Sequence, residues 1–213
     1  MKSEDDNSGN EIHEVCKIMS HYFIEDKTLK HDIKKIKYTY GDIGFEFTTD
    51  SGLFSKDHVD PATDILLNSI SGPSGSLLDM GCGYGCIGIV LGKAYSLQVT
   101  QADINQLAVD FTKRNCIAND VNSFVIKSNC FESISGSFDT IVINPPIHAG
   151  KVITYKMYED SLLHLNNGGK LYIVTLKKHG AESTQVKLND TFGNCETLYK
   201  KKGYYVFCCT KLV

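Results

Sequence analysis

The sequence predicts a doubly wound α/β fold: a mostly parallel, seven-stranded sheet that ends in an antiparallel C-terminal hairpin. Three observations predict it. From Ser76 onward, short strand-like apolar runs alternate with runs of helical period, the pattern of a parallel sheet covered on both faces. A glycine-rich turn follows the first of these strands. The last two strand-like runs are joined only by Lys201-Lys202-Gly203, too short for a parallel crossover, so that pair must be antiparallel.

Each element has its own signal. Residues 1–10 are polar and charged and are expected to be a disordered acidic tail. A short helix is expected over 11–21. Residues 35–49 alternate around Gly41-Asp42 and predict a β-hairpin, with Ile36, Tyr38 and Tyr40 on one arm and Phe45 and Phe47 on the other. Asp60-Pro61 reads as a helix start, with Asp60 as N-cap, Pro61 in the first turn, and Ile65, Leu66 and Ile70 turned inward. Strands follow over 77–79, 97–102, 124–127, 140–144, 170–175, 196–200 and 204–211. Helices are expected over 85–94, 105–118, 155–164 and 181–192. Beyond the tail this predicts one domain over 11–213, with 11–56 as an N-terminal addition to a core over 57–213.

The 213 residues are 42% hydrophobic and 22% charged, enough to bury a sizeable core. No apolar stretch approaches the roughly 20 residues of a membrane span, and the acidic N-terminus is not a signal peptide, so a cytoplasmic protein is expected. Eight cysteines (Cys16, Cys82, Cys86, Cys116, Cys130, Cys195, Cys208 and Cys209) form no Cys-x-x-Cys pair and no zinc-finger spacing with histidine. They read as reduced thiols packed in apolar runs, with no metal site. The formal net charge is −3, yet residues 1–14 set one lysine against five acids, which leaves the rest slightly basic. Lys27, Lys30, Lys34, Lys35 and Lys37, with His31 and only Asp32 against them, form a local basic segment. Such a cluster suits phosphates, and it is also what an ordinary solvated face looks like.

Two motifs carry the chemistry. Asn144-Pro145-Pro146 ends the apolar run Phe138 to Ile143. Two prolines cannot extend a sheet, so the strand stops there and leaves the Asn144 amide and neighbouring carbonyls rigidly exposed, at the strand end where open α/β sheets bind ligands. Those acceptors suit an amine whose hydrogens are gripped while its lone pair meets an electrophile. Upstream, Asp79-Met80-Gly81-Cys82-Gly83-Tyr84-Gly85 is a strand end and glycine-rich turn that can hold that electrophile. Gly83 to Gly88 also satisfies the dinucleotide pattern, but the Asp79 charge would repel a pyrophosphate and attract the ammonium of a methionyl group. The pair predicts an N-methyltransferase that uses S-adenosylmethionine. Its cofactor site is expected to comprise Asp79, Gly81, Gly83, Gly85, Asp103 and Ile104 at the ribose, and Asn129, Cys130 and Phe131 at the adenine, with Asn144 at the methyl end. Asp103 is alternatively a cap before the helix at Asn105, and Phe131 alternatively a core residue. Asn144, Pro145, Pro146 and Ile147 are the expected catalytic side. Methyl transfer there is catalysis by proximity, orientation and preorganised acceptors, with no strong general base required.

These residues, and above all Asn144-Pro-Pro-Ile-His-Ala-Gly-Lys151, resemble the class I small-subunit ribosomal RNA guanine-N2 methyltransferases, in the form of their short single-domain members. The resemblance extends to Phe47-Thr-Thr-Asp-Ser-Gly-Leu-Phe-Ser55, Asp60-Pro-Ala-Thr63, Ser128-Asn129 and Leu171 to Gly180. It implies a Rossmann-like core, S-adenosylmethionine as cofactor, and RNA as partner, either ribosomal RNA or a small ribosomal subunit. The alternatives are a methyltransferase of a protein glutamine or of a small-molecule amine, and an RNA-binding scaffold without turnover. Ile147 follows the prolines where adenine-amine and glutamine-amide enzymes place an aromatic, which disfavours those two acceptors. Ala62 stands where relatives place glycine. His148 is a candidate substrate contact or a polar surface residue, and Lys151 and Lys177 are candidate phosphate contacts or solvated lysines.

Overall fold

The computed structural model describes residues 32–146 and 150–212. The expected tail and first helix, Cys16, Lys27, Lys30, His31, Ile147 and His148 lie outside the described residues.

The chain runs β1 (Lys34–Tyr40), β2 (Ile43–Thr49), α1 (Pro61–Ser69), β3 (Ser76–Met80), α2 (Cys86–Tyr95), β4 (Gln98–Asp103), α3 (Gln106–Ala118), β5 (Ser123–Lys127), β6 (Phe138–Ile143), α4 (Gly150–Leu163), β7 (Leu165–Leu176), α5 (Ala181–Phe192), β8 (Glu196–Lys201) and β9 (Tyr204–Thr210). The main sheet has the order β5-β4-β3-β6-β7-β9-β8, and only β9 pairs antiparallel to its neighbours. The doubly wound sheet is therefore present as expected, hairpin included. Its inner strands are apolar on both faces because both are covered. Leu77, Val142 and Val174 face the side packed by the β1–β2 hairpin, α1, α2 and α3; Leu78, Ile141, Ile143 and Ile173 face α4 and α5.

Two elements run further than their sequence signal. Helix α4 begins at Gly150, five residues ahead of the expected Tyr155, because its first turn carries exposed Val152 and follows a loop signal, so no amphipathic stripe announces it. Strand β7 begins at Leu165, opposite Phe138, and continues through Asn166 to Gly169, a stretch whose composition reads as a turn. The Asn166 amide donates to Asp139 Oδ1 at 2.8 Å, so tertiary contact overrides that composition.

The hairpin folds as read, with Ile36 opposite Phe47 and Tyr38 opposite Phe45. Its anchor was not anticipated. Asn115 on α3 and Asn119 at its C-cap, one turn apart and both buried, treat β2 as a neighbouring strand would. Asn115 accepts from Thr48 N–H at 2.8 Å and donates to Thr48 C=O at 3.0 Å; Asn119 accepts from Glu46 N–H at 3.1 Å and donates to Glu46 C=O at 2.8 Å. Asn115 also donates to the Tyr84 carbonyl at 2.8 Å, tying the hairpin to the glycine turn. Buried amides paired in this way are costly to remove, since each leaves orphaned backbone groups behind.

Candidate active site

Strands β3 and β6 are parallel neighbours, in register through Met80 opposite Ile143. Adjacent strands lie about 4.8 Å apart. The next residues, Gly81 and Asn144, therefore leave the sheet side by side, and both line one cavity of about 730 Å³. Residues 80–83, Asp103, Ile104 and 128–130 line one wall of it, on the glycine-turn side, and Ala62, Thr63 and 144–146 a second, on the Asn-Pro-Pro side; residues 51–55 and Asp60 line it as well.

The first wall is held by backbone donors and carboxylates. Gly81 and Gly83 sit at φ +77° and +58°, and open space surrounds the place where a side chain would project, as a turn passing close to a ligand requires. Gly83 N–H donates to Asp103 Oδ2 and Asn105 N–H to Asp103 Oδ1, each at 2.9 Å. Burial pushes the Asp103 carboxyl up, and these backbone donors oppose that. Asp103 thus ties the glycine turn to the loop before α3, whose N-cap is Asn105, and also stands on the cavity wall. Behind the turn, Asp79 is fully buried; its Oδ2 accepts from Gly88 N–H at 2.9 Å, while Oδ1 has no partner. Burial first, and the Asp103 charge after it, raise the Asp79 pKa to about 7 against the Gly88 bond. Asn129 is placed in the same way: its amide nitrogen donates to Glu132 at 2.7 Å and its buried Oδ1 has no partner.

Three expected cofactor residues stand off this wall. Asp79 lies one residue behind it, since the lining begins at Met80. Gly85 caps α2 at φ +91°, and a side chain there would meet Thr112 Cγ2 at 2.9 Å, so its glycine serves packing rather than ligand contact. Phe131 is 6% exposed and stacks on His164 with centroids 5.0 Å apart; the alternative reading as a core residue holds because the turn over 128–134 folds it under the sheet. The cysteines beside the turn are not nucleophiles: Cys82 and Cys86 are buried, and desolvation raises both thiol pKa values. No cluster of three or more histidine, cysteine or acidic residues suited to a metal occurs among the described residues.

On the second wall, the expected helix start is present. Asp60 Oδ2 accepts from Thr63 N–H at 3.1 Å, with Pro61 in the first turn. The capped turn presents the Thr63 hydroxyl to the Asn144 amide nitrogen at 2.9 Å. That bond orients Asn144 and leaves its carbonyl oxygen without a partner among the described residues. Pro145 and Pro146 line the cavity beside it. Two contributors escaped the motif reading: Thr63 as the partner of Asn144, and Phe54, which lines the cavity while 58% exposed. The signal for Phe54 was a bulky aromatic in a Ser/Gly loop with no strand period to bury it.

A sheet of this order, with an Asn-Pro-Pro corner after its central strand β6 and a glycine turn after the neighbouring β3, defines a class I methyltransferase. The chain belongs to the methyltransferase small domain family, whose profile matches residues 44–208. It is 35% identical over 198 residues to the uncharacterized protein YbxB of Bacillus subtilis (strain 168), covering 90% of this chain and 98% of that one. It is also 37% identical over 129 residues to the ribosomal RNA small subunit methyltransferase C of Pasteurella multocida, and 41% identical over 128 residues to that of Aeromonas hydrophila. Each match covers 58% of this chain, and 39% and 37% of those proteins, so the chain spans less than half of their length. Among solved structures, the fold matches the T. thermophilus 16S rRNA N2 G1207 methyltransferase in complex with AdoMet and guanosine, with a TM-score of 0.76 and 24% identity over 84% of this chain and 50% of that one.

The cofactor of this class is S-adenosylmethionine, and the residues present fit it. The unpartnered Asp79 Oδ1 suits an ammonium donor, the unpartnered Asn129 Oδ1 an exocyclic amine, and the open glycine turn a chain lying against backbone. No helix among the described residues is long and apolar enough to cross a membrane.

Proposed function

We propose that this chain transfers a methyl group from S-adenosylmethionine to the exocyclic amine of a guanine in RNA, ribosomal RNA being the foremost candidate, in the cytoplasm. The observation that carries the proposal is the in-register exit of Gly81 and Asn144 from neighbouring strands into one cavity. When bound, S-adenosylmethionine supplies an electrophilic methyl carbon. The chain's own residues do the rest. Asp103 and Asn129 hold polar groups on the cofactor wall, and Asp79 stands one residue behind it with a free carboxylate oxygen. Thr63 fixes the Asn144 amide by its nitrogen, so that its oxygen, with the Pro145 carbonyl, accepts the two amine hydrogens. Gripping both hydrogens turns the nitrogen lone pair out of conjugation with the ring and stabilises the charge that develops on it. The curated relatives named for ribosomal RNA methylation support the choice of substrate.

Incubation with methyl-labelled cofactor and small ribosomal subunits lacking the modification tests this. Label is expected in RNA, at a guanine amine after nucleoside digestion. Label in polypeptide or metabolites, with none in RNA, would replace the guanine reading by that of another acceptor.

A further inference from the structure

Two lysine-rich regions of the chain are treated oppositely by the fold. On the hairpin side, Lys34 reaches Asp57, Lys35 lies 2.7 Å from Glu46, and Lys56 lies 3.4 Å from Asp32. Those three ammonium groups are already matched by carboxylates, and of the hairpin lysines only Lys37 is in no ion pair among the described residues. Across the cavity, Lys177 and Lys178 open the turn after β7, and Lys201 and Lys202 lead into the turn between β8 and β9. The Lys177 N–H donates to the Gly203 carbonyl at 2.7 Å, which holds the two turns together. Leu176 and Lys201 both pair with Tyr204, so β7, β9 and β8 end level at this edge. The edge belongs to the cavity rim, because Leu176 and Tyr204 line the cavity. Lys151, in the first turn of α4, lines the cavity as well, and a side chain added at Gly180 would lie 3.7 Å from its Cε. Lys151, Lys177, Lys178, Lys201 and Lys202 are all exposed, and none takes part in an ion pair among the described residues.

We infer that this ridge, rather than the paired Lys34, Lys35 and Lys56, holds the sugar–phosphate backbone of the RNA that flanks the methylated base. The inference rests on the proposed function. A guanine can enter the cavity only if it is splayed away from its neighbours, so their backbone must run over the rim. The two turns touch through the bond from Lys177 to Gly203, and Lys201, on β8, lies two strand spacings of about 4.8 Å from β7, so the ridge has room for more than one phosphate. Gathered unpaired cations repel one another, and a bound polyanion relieves that repulsion while releasing its own counterions. Lysine suits the task as a mobile point charge that reads no sequence. The division of labour is then that the cavity selects the base and the ridge supplies sequence-independent affinity.

The test compares Lys177→Gln/Lys178→Gln/Lys202→Gln with the control Lys35→Gln/Lys56→Gln, using small ribosomal subunits lacking the modification and labelled cofactor. The triple variant is expected to raise KM for the subunits roughly tenfold, with kcat and calorimetric cofactor affinity unchanged. Its salt dependence of log K should flatten by about 2, near 0.7 for each lost single-strand phosphate contact. The control should match the wild type. Wild-type KM and salt slope in the triple variant would overturn the ridge while RNA methylation stands, and equal weakening by the control would overturn it too. Labelling of polypeptide and no RNA by the wild-type chain would remove ridge and proposed function together.

Discussion

The two walls of the cavity are built on different principles. The glycine-turn wall is made of backbone and hydrogen-bonded carboxylates: Asp103 is held by two N–H groups at 2.9 Å, and buried Asp79 sits behind the turn with one oxygen bonded and one waiting. The acceptor wall hangs on one side-chain bond, from Asn144 to Thr63. A wall whose carboxylates are fixed by backbone donors, with single oxygens left unpartnered, stores its specificity before the ligand arrives. A wall anchored by one hydroxyl can admit a macromolecular substrate. Substitutions should therefore divide cleanly between cofactor affinity and turnover.

The largest effect is expected at Asn144. Asn144→Ala should lower kcat roughly 100-fold or more, as loss of one preorganised polar group does, with calorimetric cofactor affinity nearly intact. Turnover near the wild-type rate would remove Asn144 from the chemistry.

Asp79→Asn should do the reverse. Losing a charged partner for a buried donor weakens cofactor binding by about 10–100-fold. It should also change the pH dependence of stability. In the unfolded chain this carboxyl releases its proton near the ordinary aspartate value of about 3.9, while the folded protein retains it up to about 7. The unfolded state therefore binds fewer protons across that window, and stability falls as pH rises through it. Melting of the cofactor-free protein at pH 5 and pH 8 should show a drop in the wild type that shrinks in Asp79→Asn. An unchanged drop would show that the slope arises elsewhere.

Thr63→Val sharpens the contrast, because it keeps the shape of the helix turn and removes only the hydroxyl that orients Asn144. About a tenfold fall in kcat is expected, equivalent to about 1.4 kcal/mol. A fall in cofactor affinity with kcat preserved would assign Thr63 to the other wall.

Phe54→Ala should act least, raising KM for RNA several-fold while kcat and melting temperature stay close to wild type, since an exposed ring contributes little to the core. A marked loss of stability would show that the ring is structural.

Much of this molecule is legible in the chain because its signals are local. Strand–helix alternation from Ser76, the Asp60-Pro61 start, the Gly41-Asp42 hairpin and the short Lys202-Gly203 turn each depend on a few neighbouring residues. What escaped depends on partners far along the chain. Asn115 and Asn119 read as ordinary polar residues on a helix, and nothing near them announces the strand backbone they pair with. Phe131 and Gly85 satisfied a ligand pattern locally, and packing against His164 and Thr112 assigned them elsewhere. Thr63 meets Asn144 only because α1, packed on β7, brings its first turn to the residue after β6.

By itself, then, the sequence determined the class of fold, the strand at which the glycine turn opens and the strand that the two prolines end, because backbone φ and missing N–H groups impose those breaks wherever they occur. The tertiary structure alone decided that the two breaks come out level on adjacent strands, which carboxylate oxygen stays unpartnered, and which lysines keep their charge free. Register, burial and ion pairing are relations between distant residues, and such relations exist only once the chain is packed.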